Sequence, residues 1–259
     1  KNNVLEKELI INRENGKVEM ALLEDGKLMV VQTQETDEDL LVGDIYLGRI
    51  KKLMPSLNAA FVDIGSRKDA FLHYTDLGPQ LRSLIKFTDT SRTGKNRNAL
   101  LGRFKREPDI IKTGKIDQVL KRNQKILVQI TKEPIGTKGP RLSSELTLPG
   151  RYVVLSPFNQ HVAVSKKIPD AEERKRLKLL IESIRPKNFG VIVRTASQGK
   201  MVADLHEEIR MLTDTWREIH KKLKSMEEPQ KLISEMDKTS SYIRDVLNED
   251  FSKIVVNDS

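Results

Sequence analysis

Short runs of β-prone residues, separated by glycines, dominate the first half of this chain. After residue 40 the sequence contains three of them: Asp44–Ile50, Ala59–Ile64 and Ala70–His73. Strands this short, with glycine at the bends, are typical of a small closed barrel. A further run, Ile126–Lys132, follows only after a long polar segment. The pattern therefore predicts a barrel that carries a long inserted loop.

The two ends of the chain have a different pattern. Residues 1–35 contain three β-prone runs separated by an Asn-Gly and an Asp-Gly pair, the strongest two-residue signals for a hairpin. At the other end, a predicted helix over Ser240–Asn248 leads into a strand over Lys253–Asn257. This helix and strand need partners, and the N-terminal meander is the obvious candidate. The two ends would then form one domain, with the middle of the chain inserted into it.

The region that follows the barrel pattern alternates strands and helices. Tyr152–Leu155 and His161–Val164 are predicted to pair as a hairpin, and a helix is predicted over Pro169–Ile184. Val191–Thr195 is a predicted strand. Six apolar residues then follow with the spacing of an amphipathic helix: Leu205, Ile209, Leu212, Trp216, Ile219 and Leu223.

The net charge of +9 is concentrated in one segment. Residues 81–125 contain thirteen Lys and Arg against four Asp and Glu, and the rest of the 259-residue chain is balanced. Such a positive field attracts polyanions, with RNA or DNA as the default. A solubilising basic loop explains the charge equally well, so that charge alone leaves both interpretations open. Residues 93–98 are predicted to form a flexible loop tip.

Composition limits the class of protein. Cysteine is absent, which excludes disulfides and thiolate metal sites and fits a reducing cytoplasm. No apolar run approaches the roughly 20 residues of a membrane-spanning helix, and the charged first residues are unlike a signal peptide. We therefore expect a cytoplasmic protein with no membrane partner. The chain begins with Lys1 rather than Met, which indicates a piece of a longer protein.

Two aromatic residues, Phe61 and Phe71, lie in neighbouring predicted strands and would face the same side of the barrel. Exposed aromatic rings beside a basic groove stack on unpaired bases. Phenylalanine is more often buried, so the spacing by itself favours a core position for both rings.

A second candidate site is the pair Arg194–Thr195 at the end of a predicted strand. A guanidinium grips a terminal phosphate bidentately, and threonine adds a hydroxyl donor. The following segment, residues 196–200, is small and polar, as a loop around a phosphate should be. An ordinary arginine at the edge of a sheet is the alternative, and this segment taken alone favours it.

Ser56-Leu-Asn-Ala-Ala-Phe-Val-Asp-Ile-Gly65, with Ala70-Phe-Leu72 after it, resembles the OB-fold RNA-binding domain of the ribonuclease E/G family. The resemblance implies that Phe61 and Phe71 stack on bases and that Lys138 lies beside the same RNA channel. It covers nearly the whole chain. It is weakest at residues 81–120, where this sequence is longer and more basic than the family pattern.

Val191-Ile-Val-Arg-Thr-Ala196, followed by Gly199-Lys200, resembles the 5′-sensor of the same family, which holds the 5′-monophosphate of an RNA. The resemblance assigns two sets of residues to this phosphate: the pocket residues Arg194, Thr195, Gly150 and Val154, and, as secondary contacts, Lys166 and Lys167. A glycine suits such a pocket because phosphate needs close approach to the backbone.

The implied fold class is α+β and multidomain, with an OB-fold β-barrel and an α+β 5′-sensor domain inserted into a ribonuclease H-like subdomain. The predicted bounds are 1–36 and 239–259 for the two parts of the subdomain, 37–143 for the barrel with its basic insertion 81–125, and 144–238 for the sensor.

The implied function is that of an RNA-binding part of an endoribonuclease that cleaves single-stranded RNA during processing and decay. In the family, Mg²⁺ is bound by carboxylates in a later domain, and a Cys-Pro-x-Cys zinc link joins subunits into homo-oligomers. This chain is therefore expected to bind RNA with a 5′-monophosphate without cutting it. No catalytic residue, metal ligand or cofactor is assigned within it.

Two rival functions stay open. The first is a non-catalytic RNA-binding or ribosome-associated protein. The second is a nuclease whose site lies within this chain, and the acids that suggest it are Asp245, Glu249, Asp250 and Asp258. Asp245, Glu249 and Asp250 have the spacing of an exposed helix, and the interpretation without a catalytic role is preferred.

Overall fold

The computed structural model describes residues 6–14, 17–35, 40–234, 238–247 and 251–257. The chain divides into two compact units, of which one comprises residues 1–39 and 236–259 and the other residues 40–235. No helix in the described ranges is long and apolar enough to cross a membrane.

The chain begins with an antiparallel meander of β1 (Lys7–Glu14), β2 (Lys17–Glu24) and β3 (Lys27–Glu35). Asp25 and Gly26 form the second turn with φ of 49° and 72°. An Asp-Gly pair suits this turn because both residues must accept positive φ. The predicted meander is confirmed, and its other predicted turn, Asn15-Gly16, lies outside the described residues.

Five strands form a closed barrel in which the first and last also pair. They follow the order β4 (Ile45–Met54), β5 (Ala59–Asp63), β6 (Ala70–His73), β8 (Arg141–Ser143) and β7 (Lys125–Lys132). This is the small barrel that the short glycine-punctuated runs predict.

The strands of the barrel differ in how many of their faces are buried. On β4, Tyr46 and Ile50 point into the barrel core, whereas Ile45 and Leu47 belong to a second core outside it. Residues 45–48 of β4 and 126–130 of β7 are buried on both faces, as is common where a strand lies between two packed layers. Strands β5 and β6 alternate instead, and only one of their faces enters the core. Their other face remains available to a ligand.

The inserted segment 81–125 is folded, and its prediction as a loop is wrong in this respect. It contains the helices α1 (Leu81–Arg92) and α2 (Ile116–Val119). Leu81 enters the barrel core, while Leu84 and Phe87, on the same face of α1, enter the second core. The many cations hide this apolar spacing in the sequence, although they lie mainly on the opposite, solvated side.

The second core is covered by a four-stranded sheet in the order β11-β12-β10-β9 and by two helices. Its elements are β9 (Leu148–Pro149), β10 (Val153–Pro157), β11 (Val162–Val164), α3 (Ala171–Ile184), β12 (Phe189–Val193) and α4 (Val202–Leu223). Both predicted helices are confirmed: α3 begins two residues after the predicted Pro169 and ends at the predicted Ile184, and the apolar stripe of α4 faces the core.

The hairpin predicted between 152–155 and 161–164 does not form. Strand β12 lies between β10 and β11, antiparallel to the first and parallel to the second. Phe189, Val191 and Val193 of β12 are buried, so that this strand takes the central position. Runs that are neighbours in the sequence are separated here by a strand from later in the chain.

Aromatic rings fill the second core. Phe87 stacks on Trp216 with 4.9 Å between ring centroids, and Phe158 packs edge-on against both. The segment 93–98, predicted as a flexible loop tip, is held against α4, because the carbonyl oxygen of Asn96 lies 3.1 Å from Nε2 of His220 on that helix. The indole N–H of Trp216 donates to the carbonyl of Ala99 at 3.0 Å.

A strand absent from the sequence prediction, β13 (Gln230–Ile233), returns to the barrel and pairs with β4. Lys231 on this strand forms an ion pair of 2.7 Å with Asp44, whose carboxylate is fully buried. Part of the segment predicted as sensor therefore belongs to the sheet of the barrel.

The smaller unit also contains α5 (Lys238–Val246) and β14 (Phe251–Val256). Strand β14 pairs in parallel with β1, so that the predicted pairing of the two chain ends is confirmed. Leu9, Ile11, Val18 and Met20 form the small core of this unit.

The three predicted domain boundaries, at 36/37, 143/144 and 238/239, remain predictions. The outer two lie close to the limits of the compact units at 39/40 and 235/236, while the barrel and the second core share one unit.

Phe87→Ala is expected to lower the free energy of unfolding by about 3–5 kcal/mol, because it removes a buried ring from a packed core. Urea unfolding followed by the fluorescence of Trp216, the one tryptophan of the chain, measures the loss. Leu179→Ala on the exposed face of α3 is the control and should change stability by about 0.5 kcal/mol or less. Wild-type stability of Phe87→Ala would contradict the place of α1 in this core.

Candidate functional site

Phe61 and Phe71 lie opposite each other on β5 and β6. Their ring centroids are 5.9 Å apart with an edge-on geometry, and both side chains are half-buried. The neighbours Ala60, Val62 and Leu72 fill the barrel core, so that the two rings stand on the outer face. The core position that spacing alone favours for them is therefore wrong.

Cations flank the aromatic pair along one row across the sheet. The row consists of successive register partners: Lys52, Phe61, Phe71, Arg141 and Lys132. Register partners point to the same face of a sheet, so the basic side chains border the rings on both sides. Arg141 is held in place by Asp76 through two hydrogen bonds of 2.7 and 3.0 Å.

Lys138 lies in an exposed turn beside this row. The turn is fixed to β6 two residues later, where the N–H of Phe71 donates to the carbonyl of Pro140 at 2.9 Å. It also contacts the preceding loop, since a Cβ at Gly139 would come within 2.0 Å of the carbonyl oxygen of Asp69. The structure thus brings Lys138 to the same edge of the barrel as Phe71.

The predicted phosphate residues Arg194 and Gly150 are in direct contact. A guanidinium N–H of Arg194 donates to the carbonyl oxygen of Gly150 at 2.7 Å, and the backbone N–H of Arg194 donates to that of Tyr152 at 2.8 Å. Arg194 is half-buried, and Thr195 after it is exposed. Val154 is also half-buried and pairs with Ile192, on the face opposite the core.

The carboxyl ends of β11 and β12 meet at one edge of the sheet, because these strands are parallel. Arg194 and Thr195 follow β12 there, and Lys166 and Lys167 follow β11 with exposed side chains. The two chain segments are joined by the N–H of Ser165, which donates to the carbonyl of Val193 at 2.9 Å. Ligands of open sheets commonly bind at this edge.

A buried carboxylate that the sequence analysis missed supports the Gly150 turn. Glu208 on α4 accepts three backbone N–H groups at 2.7 to 2.8 Å, those of Arg151, Tyr152 and Val153. A Cβ at residue 150 would come within 2.6 Å of this carboxylate, which gives glycine a role apart from any phosphate. Glu208 lies three residues after Leu205, and this position on the apolar stripe is the signal that could have revealed it.

The loop after Thr195 is tied to α3 by Glu173 and Arg176. The Glu173 carboxylate accepts the N–H of Gly199 at 2.8 Å and pairs with Arg176 at 2.6 and 2.7 Å, while Arg176 also donates to the carbonyl of Lys200. The guanidinium of Arg176, followed by the Gly199 N–H, lowers the pKa of Glu173 to about 2. At the end of this loop, the Lys200 ammonium lies 5.5 Å from the centroid of the Tyr152 ring.

The sequence model of the Ribonuclease E/G family matches residues 147–259. The chain is 33% identical to ribonuclease G of Haemophilus influenzae over 247 residues, which cover 95% of this chain and 46% of the relative. This chain belongs to the ribonuclease E/G family.

Other relatives agree with this assignment. The chain is 34% identical to ribonuclease E of a Nostoc species over 93% of this chain and 32% of the relative. It is 30% identical to ribonuclease G of Escherichia coli over 96% of this chain and 47% of the relative. The chain thus spans less than half the length of each of these ribonucleases.

Within the described ranges of this ribonuclease E/G chain, no group of three or more His, Cys, Asp or Glu side chains is placed to hold a metal ion. Asp245, one of the acids considered above, is exposed and pairs with Arg244 at 3.1 Å. The others, Glu249, Asp250 and Asp258, lie outside the described residues. His220 is buried against Phe87, and this burial lowers its pKa.

Glu208→Gln is expected to lower the free energy of unfolding by about 1–3 kcal/mol, because an amide NH₂ then faces backbone donors that lose their acceptor. Hydrogen exchange at residues 151–153 should accelerate as well. Glu207→Gln at the exposed neighbouring position is the matched control and should leave exchange there unchanged. Equal rates of hydrogen exchange at residues 151–153 in both variants would contradict this role for Glu208.

The ion pair of Glu173 predicts a pH dependence. Because its pKa is lower in the folded than in the unfolded chain, Glu173 stabilises the fold above its unfolded pKa and loses this contribution as pH falls towards about 2. Glu173→Gln should therefore flatten the fall of stability between about pH 5 and 2. Urea unfolding at a series of pH values measures the slopes, and identical slopes for both proteins would refute the prediction.

Proposed function

We propose that this chain is the RNA-binding, 5′-monophosphate-sensing portion of an endoribonuclease that cleaves single-stranded RNA in processing and decay. The observation that carries the proposal is the contact of Arg194 with Gly150 at the carboxyl edge of the sensor sheet. It joins two residues, far apart in the sequence, that the family resemblance assigns to one phosphate pocket. Relatives named ribonuclease G and ribonuclease E support the endoribonuclease part.

The proposed pocket uses Arg194 as its main anion ligand. A guanidinium has five N–H donors in a rigid fork, and the bond to Gly150 fixes the orientation of this fork in the proposed pocket. The exposed hydroxyl of Thr195 adds a short donor, and Val154 packs against the first nucleotide. Lys166 and Lys167 add secondary phosphate contacts from the neighbouring strand end. A 5′-triphosphate adds charge and bulk that such a pocket rejects.

The barrel is proposed to hold the strand of the RNA. Phe61 and Phe71 offer half-exposed rings, and stacking contributes about 1–3 kcal/mol per base. Lys138 and the flanking cations of the row bind the phosphates between the stacked bases. This surface is independent of the RNA end, whereas the sensor reads only the end.

Strand scission itself needs chemistry that the proposal assigns to other parts of the protein. Mg²⁺ bound by carboxylates orients and activates the attacking water in such hydrolysis. The proposal places this Mg²⁺ and the zinc link between subunits outside the 259 residues. The chain by itself is expected to bind RNA and leave it intact.

Arg194→Ala is expected to weaken binding of a 5′-monophosphorylated oligonucleotide by about tenfold or more while leaving its 5′-hydroxyl counterpart nearly unchanged, because a charge-assisted phosphate contact is lost. Fluorescence anisotropy with both oligonucleotides measures the two affinities. Arg210→Ala, an exposed arginine on α4, is the matched control. An equal loss for both RNA ends would make Arg194 a general backbone contact and overturn the sensor.

Phe71→Ala is expected to weaken both oligonucleotides alike, by about five- to tenfold, since stacking does not depend on the RNA end. Leu57→Ala removes an exposed apolar side chain elsewhere on the barrel and should have no effect. Unchanged affinity of Phe71→Ala would rule out the stacking role.

A further inference from the structure

A groove of about 340 Å³ separates the barrel from the inserted segment. The insertion contributes Ile110, Ile111 and Lys112 to its lining, and the rest of the lining consists of Tyr74, Thr75, Leu77, Pro79 and Glu145. Glu145 is exposed and adds one carboxylate beside the Lys112 ammonium. Its volume lies within the range of pockets that bind small ligands. None of these residues belongs to the row of Lys52, Phe61, Phe71, Arg141 and Lys132, or to the sheet edge that carries Arg194.

The walls of the groove are fastened to each other. The hydroxyl of Tyr74 donates to the carbonyl of Ile111 at 2.6 Å, and the N–H of Ile110 donates to the carbonyl of Pro79 at 2.9 Å. Gly114 permits this contact, since a Cβ there would come within 2.0 Å of the Tyr74 hydroxyl. Ile110 is buried, whereas Ile111 next to it is 68% exposed. The fold thus holds an apolar side chain at the rim of a formed groove.

A chain of contacts leads from the aromatic pair to this groove. His73 follows Phe71 on the same face of β6, and its ring is stacked on the Phe71 ring with 6.4 Å between the two centroids. Nδ1 of His73 lies 2.7 Å from the hydroxyl of Thr75, which lines the groove. A strand lying on Phe61 and Phe71 can therefore continue over His73 without leaving the surface.

The charge of the insertion identifies the occupant. Lys112 lines the groove, and the exposed cations nearest to it in the sequence of the insertion are Lys105, Lys115, Lys121 and Arg122. An apolar wall within a positive field fits a ligand with flat apolar parts and a negative backbone, as unpaired RNA has.

We propose that this groove is an accessory nucleotide site, which takes an unpaired base of the strand that lies on Phe71. The base rests between Leu77 and Ile111, and Lys112 binds the adjoining phosphate. This proposal depends on the proposed RNA-binding function of the barrel. It assigns a role to the part of the chain where the family resemblance is weakest.

The test uses 5′-hydroxyl oligouridylates of about four and about ten nucleotides, within the usual span of a small barrel, so that the sensor is not engaged. Ile111→Ser and Lys112→Ala should weaken the longer RNA by about five- to tenfold and leave the shorter one, centred on the aromatic pair, unchanged. Lys112→Ala should also reduce the salt dependence of binding by about one phosphate contact. Circular dichroism checks that both variants fold.

Lys95→Ala is the matched control, because it removes an exposed cation beyond the other end of α1. Three outcomes would contradict the proposed site. The longer RNA could bind both rim variants as tightly as wild type, both RNA lengths could bind the rim variants with equally reduced affinity, or Lys95→Ala could have the same effect as Lys112→Ala. Phe71→Ala distinguishes the two proposals. The proposed RNA binding by the barrel is contradicted if wild type binds neither RNA, or if Phe71→Ala binds RNA as tightly as wild type. If Phe71→Ala loses affinity and the rim variants do not, only the proposed nucleotide site in the groove is contradicted.

Discussion

The stack of Phe87 on Trp216 is the contact on which the larger unit depends. Phe87 belongs to the inserted helix α1 and Trp216 to the long helix α4, and the core around them includes Ile45 and Leu47 of the barrel. Interiors are close-packed, so that a shift of one of these elements would open a cavity against the other two. The barrel, the insertion and the four-stranded sheet with α4 therefore share one core, in which the insertion is a structural part.

This shared core orients the surfaces proposed for RNA. The first half of β4 and most of β7 lie between the two cores, whereas the outer face of β5 and β6 carries the half-buried rings of Phe61 and Phe71. On the four-stranded sheet, the parallel pairing of β11 with β12 collects Arg194 and Lys166 at one edge. Groups held by a rigid framework lose little entropy on binding, which favours recognition by few residues. In the proposed function, base stacking and recognition of the RNA end are separate tasks performed on this common framework.

Glu208 illustrates how a binding turn is supported from inside. Its carboxylate occupies the backbone donors of residues 151–153, so that these N–H groups are satisfied without any ligand. The same carboxylate requires a glycine at position 150, whose carbonyl in turn orients Arg194. In the proposed function, the external phosphate is left to side chains of Arg194 and Thr195 rather than to this turn of backbone.

The sequence by itself determined the elements whose signals are local. The Asp-Gly turn and the apolar stripe of α4 both depend on residues within a few positions of each other. The family resemblance assigned Gly150 to the same pocket as Arg194, and the structure places the two residues in contact. Local periodicity shows which face of an element is apolar, but not which distant element covers it. Only the tertiary structure therefore decided that β12 separates β10 from β11, that the insertion folds into the core and that Phe61 and Phe71 face outward.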